Sequence, residues 1–103
     1  MPIITLSGIE TENILKVKEK MIQLIINEMD IDEENITILL DKREFITSPY
    51  VFISIEWFDR GQQIKDNTAK GINEILKEIG IESADIWFTK LERDSYYENG
   101  EHF

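Results

Sequence analysis

Hydrophobic and polar positions along this chain change period four times, and the changes mark out the elements. Ile3-Ile4-Thr5-Leu6 is a short, mostly β-branched apolar run closed by Ser7-Gly8, which predicts a buried strand. Ile14, Val17, Met21, Leu24 and Ile25 then recur at helical spacing, widened by Leu15, Ile22 and Met29, and predict a helix over about residues 11–29. Thr11 is placed to cap it, with Glu10 and Glu12 at the positive end of the helix dipole. An acidic turn at 30–35 leads into Ile36-Thr37-Ile38-Leu39-Leu40, a second strand.

A polar connection over 41–49 ends at Ser48-Pro49, and the clearest alternation in the chain follows. From Tyr50 to Phe58, Val51, Ile53, Ile55 and Trp57 alternate with Phe52, Ser54, Glu56 and Phe58, as in a strand with two different faces. Asp59-Arg60-Gly61 is a turn. Ile64, Thr68, Ile72, Ile75, Leu76 and Ile79 then predict a second helix, with Gly80 where a C′ glycine belongs. Ile86, Trp87, Phe88 and Leu91 mark a last strand over about 85–91, and Tyr96, Tyr97 and Phe103 punctuate a polar tail suited to docking on another surface. Residues 1–103 therefore read as one α/β (α+β) domain of order β-α-β-β-α-β. Two architectures share this order: a ferredoxin-like split βαβ, and two βαβ units side by side about a pseudo-twofold axis.

Composition narrows the function classes. Twenty-one acidic residues against 11 basic ones give a net charge of −10, which repels phosphate backbones, and the basic spots are mixed with acids. No nucleic-acid partner is expected. No apolar run is long enough to span a bilayer, and no basic segment precedes an apolar one as in a signal peptide, so a cytoplasmic protein without membrane association is expected. The absence of Cys removes disulfides and thiolate chemistry. Asp30, Asp32, Glu34 and Asp41 lack the glycine and the following helix of a calcium loop. No metal or cofactor is expected.

One candidate for chemistry stands at the start. Pro2 directly follows Met1, and removal of Met1 would leave a secondary amine fixed at a strand's first position, where proline forfeits no ladder bond. A Met-Pro start is also a common way to begin an edge strand.

Pro2 before an apolar strand, followed by two βαβ units in about a hundred residues, resembles the tautomerase superfamily, whose amino-terminal proline is a catalytic base. The chain is similar over its whole length to a small bacterial family within that superfamily. The resemblance is carried by the block from Val51 to Gln63, with its Trp57-Phe58-Asp59-Arg60 turn, and by the ending Tyr96-Tyr97-Glu98-Asn99-Gly100-Glu101-His102-Phe103. It implies a tautomerase/MIF-like (macrophage migration inhibitory factor-like) fold, with the first strands of the two units adjacent and antiparallel. Pro2 would then lie near Trp57, Phe58 and Arg60. The implied activity is keto–enol proton transfer on a small keto acid, aromatic or dicarboxylate, with Pro2 as base and Arg60 as partner of the substrate carboxylate or enolate. Trp57, Phe58, Tyr96 and Arg43 are implied substrate-binding residues, Arg43 reaching from the same or a neighbouring chain. A homotrimer is also implied.

The sequence departs from the superfamily in two places. Asp30-Ile31-Asp32-Glu33 stands where some members carry a base after the first helix, and Ser7-Gly8-Ile9 where others carry an Arg. Known tautomerase substrates therefore do not transfer. The alternatives are a catalytically inactive tautomerase-fold binding or scaffold protein and, outside the family, a ferredoxin-like small-molecule sensor.

Overall fold

A computed structural model describes residues 1–103 in full. The main elements are β1 (Ile3–Ser7), α1 (Thr11–Met29), β2 (Thr37–Asp41), β3 (Phe52–Trp57), α2 (Gln62–Glu78) and β4 (Asp85–Lys90). Strands β5 (Tyr97–Glu98) and β6 (Glu101–His102) form a separate hairpin. The four long strands make one sheet in the order β2-β1-β3-β4. Each βαβ unit pairs its own strands in parallel, and the two units meet where β1 runs antiparallel to β3. A split βαβ would separate β1 from β2, so the pseudo-twofold arrangement is the one adopted.

Alternation along the strands puts Ile4, Leu6, Ile53, Ile55 and Trp57 on one face, all fully buried. Val17, Met21, Ile25 and Met29 of α1 and Ile72, Ile75 and Leu76 of α2 complete the same core, so both helices cover that face. Burial of this apolar area dominates the stability. The opposite sheet face carries Thr5, Ser54 and Glu56, with Leu39 and Trp87 partly exposed. No helix is long and apolar enough to cross a membrane.

The helix ends differ from one another. Thr11 is the first helical residue of α1 rather than its cap; Glu10 occupies the cap position, and no side chain bonds the free N–H groups. The Glu10 carbonyl instead accepts from the N–H groups of Asn13 and Ile14, at 3.0 and 3.2 Å. At the end of α2, Gly80 N–H donates to the Lys77 carbonyl and Ile81 N–H to that of Leu76, the paired bonds of a Schellman stop.

The tail is more ordered than its polarity suggests. Asn99 and Gly100 both have positive φ, 53° and 82°, as a two-residue type I′ turn between paired strands requires. The hairpin brings Phe103 back onto the body, where its N–H donates to the Tyr96 carbonyl at 3.0 Å.

Candidate functional site at the amino-terminal end of the sheet

Register assembles the site. Ile3 pairs with Glu56 across the antiparallel β1–β3 ladder. Continued outward, the same register sets Pro2 opposite Trp57 and Met1 opposite Phe58. Trp57 pairs with Lys90 in the parallel β3–β4 ladder, and that register, continued three residues, sets Arg60 alongside Arg93. The first residues of the chain and two arginines thus share one end of the sheet.

Pro2 is fully buried, and its carbonyl accepts from Thr37 N–H at 3.1 Å, which fixes the ring at the mouth of the central strand. Trp57 belongs to the core, tilted against Phe88 with ring centroids 4.8 Å apart. Phe58 points to the other side, as alternation predicts, and packs beneath the tail. Its ring stacks on Phe103 at 5.2 Å and meets Tyr96 edge-on at 5.0 Å. Tyr96 Oη lies 3.9 Å from Met1 Sδ, a contact that joins the tail to the first residue.

Arg60 is held by the turn that follows β3. Asp59 Oδ1 accepts from Gly61 N–H at 2.8 Å and shapes the turn. Arg60 Nη1 donates to the Phe58 carbonyl at 3.0 Å, and its guanidinium sits over the Trp57 ring at 5.8 Å. Arg93 lies over Phe58 at 4.9 Å and over Phe103 at 5.1 Å. Its carbonyl contacts His102 Nε2 at 3.0 Å. Neither arginine has an ion-pair partner. The three ion pairs in the molecule are Lys20–Glu78, Arg43–Asp41 and Lys90–Glu92.

The electrostatic consequence falls on the amino-terminal amine. Partial burial holds the Met1 amine below its ordinary value of 8.0, and the positive charges of Arg60 and Arg93 lower it further. An amine in this setting sheds its proton nearer neutrality than a free one does.

Of the residues singled out in the sequence, Pro2, Trp57, Phe58, Arg60 and Tyr96 gather at this end. Arg43 does not. It pairs with Asp41 and lies over Phe52 at 5.9 Å. Asp41 and Phe52 both pair with Ser7, at the far end of β1 from Pro2. Arg93 and Phe103 were not singled out, although both are integral here. Arg93 sits in a polar stretch with no pattern of its own; only the offset between β3 and β4 relates it to Arg60. Phe103 could have been found from Asn99-Gly100, a strong hairpin signal that turns the last residues back.

Comparisons place this geometry in a family. The family model described as "Domain of unknown function (DUF1904)" matches residues 1–102, and the chain belongs to that family. A DUF1904 domain from Sebaldella termitidis ATCC 33386 superposes with a TM-score of 0.87 at 27% identity, over 100% of both chains. A protein of unknown function from Vibrio cholerae superposes at 0.91 with 20% identity, over 99% of this chain and 87% of that one. A fused 4-OT protein, described as a wild-type asymmetric trimer, superposes at 0.78 with 11% identity, over 97% of this chain and 94% of the other. No curated protein matches the sequence significantly. The fold is that of the tautomerase superfamily, in which 4-OT is a member.

Proposed function

We propose that this protein is a tautomerase-like isomerase acting on a small keto acid, with the Pro2 nitrogen as base once Met1 is removed. The observation that carries the reading is the setting of the chain's start. A buried proline opens a central strand at the place where desolvation and two unpaired arginines depress an amine's pKa. A neutral Pro2 amine would take a proton from the carbon next to the substrate carbonyl. The electron pair left behind moves onto the carbonyl oxygen as an enolate, where Arg60 N–H groups stabilise the charge. The protonated Pro2 then returns its proton to oxygen or to another carbon, so the reaction balances without a cofactor. Trp57 would hold the arginine from beneath, and Phe58 and Tyr96 would wall the substrate. Arg43 could serve only from a neighbouring chain, and a homotrimer, the state named for the 4-OT relative, is the assembly proposed.

Two measurements test this. The intact mass of untagged protein must be short by one Met, because a retained Met1 makes the Pro2 nitrogen an amide. Exchange of the proton next to the carbonyl in phenylpyruvate-like and dicarboxylate keto acids is then followed, and Pro2→Ala should slow it by roughly 100-fold or more. Unchanged exchange in that variant would remove Pro2 from the chemistry.

The Tyr96–Met1 contact favours a second reading. A Met1 seated against the tail suits a non-catalytic binding protein that keeps the site without the reaction. Full retention of Met1 in the cell-derived protein would select it.

A further inference from the structure

We infer that Arg93 is a specificity-determining residue, paired with Arg60 in a site for a small dianion that carries two carboxylates. The inference rests on the reading of this end of the sheet as a ligand site, and it names the ligand's chemical class.

Three observations lead here. First, the protein has a net charge of −10, yet both arginines lack a carboxylate partner. The acids beside them are exposed or engaged elsewhere: Asp59 accepts from Gly61 N–H, Glu92 faces Lys90 at 3.9 Å, and Asp94 is exposed. Second, each guanidinium is held over aromatic rings, Arg60 over Trp57 and Arg93 over Phe58 and Phe103. Stacking fixes the plane of the fork and leaves N–H edges for a carboxylate, so little side-chain freedom is lost when one binds. Third, the two forks are separate. Trp57 and Phe58 project to opposite sides of their strand, and the guanidiniums follow them. One carboxylate cannot satisfy both. Two carboxylates on a short carbon chain can, and that chain would pass the amino-terminal end of β1.

The test compares 2-oxoglutarate with 2-oxobutyrate, which differ in the distal carboxylate, by calorimetry at matched ionic strength. The wild type should bind the dianion more tightly by roughly tenfold or more, the worth of one charge-assisted hydrogen-bonded contact. Arg93→Met should bring the two ligands within about threefold of each other, losing affinity for the dianion alone. Lys90→Met removes a neighbouring cation and should leave the preference in place. An absence of preference in the wild type, which requires no variant to fold, overturns the inference. So does a preference that survives Arg93→Met, or one that Lys90→Met abolishes equally. Binding is read without turnover, so a Pro2→Ala result that removed the proposed chemistry would leave this outcome legible. Loss of the dianion preference, conversely, would leave exchange on monocarboxylates untouched.

Discussion

Phe58 and Phe103 lie 45 residues apart and stack with ring centroids 5.2 Å apart and planes 10° from parallel. Phe58 is buried only because the tail returns to cover it, and the same return brings Arg93 and Tyr96 to the first residue of the chain. Phe103→Ala should therefore act in two ways. It should destabilise the fold by about 0.5–1.5 kcal/mol for the lost aromatic pair, read by urea unfolding. It should also raise the pKa of the amino-terminal amine by exposing it to water, read by the pH dependence of its labelling.

The amine gives a pH prediction of defined sign. Its folded pKa lies below the unfolded value of 8.0, so the unfolded chain binds more protons between the two values. Stability should rise with pH through that window and level off above about 8, with the burden of the buried charge present in full below the folded pKa. Arg60→Met and Arg93→Met should each move the folded pKa upward, Arg60→Met more, in line with the order of their effects. Isothermal unfolding from pH 5 to 9 reads the first effect, and amine labelling reads the second.

Thr68 faces the core of α2 fully buried, with no partner for its Oγ1. Replacement by Val keeps the shape and removes an unsatisfied hydroxyl. Thr68→Val should stabilise the fold by about 1 kcal/mol, raising Tm by roughly 4–8 °C for a domain of this size. A fall in Tm would mean that the hydroxyl is satisfied in solution.

Gly8 marks the opposite limit. It adopts φ +82°, and a Cβ there would lie 2.3 Å from the Tyr50 carbonyl oxygen, a backbone atom that cannot swing aside. Gly8→Ala should cost about 1–3 kcal/mol or more from strain and collision together. The loss should appear in denaturant midpoint without a change in slope, as local strain rather than altered compactness.

The alternating run from Tyr50 to Phe58 and the helical run from Ile14 to Met29 show why so much of the fold is legible in the sequence. Each has one period and one apolar face, and each formed within two residues of its expected bounds. The opposite sides of Trp57 and Phe58 follow from the same rule. Thr11 shows where local signals mislead: its side chain suits a cap, but the chain enters the helix at Glu10 and caps through the backbone. The choice between the two architectures rested on β1 pairing with β2 and β3, contacts set by packing between distant segments. Arg93 was hidden for the same reason, since its relation to Arg60 exists only through the β3–β4 register.

The contact between Tyr96 and Met1 also orders events in time. Residues 93–103 are made after every strand of the main sheet, and a ribosome adds about 5–20 residues per second. For several seconds the first residue is outside while the segment that will cover it does not yet exist. An aminopeptidase acting on the growing chain meets an open end. The tail then folds back over whichever amine that encounter has left, Met1's or Pro2's, and encloses it.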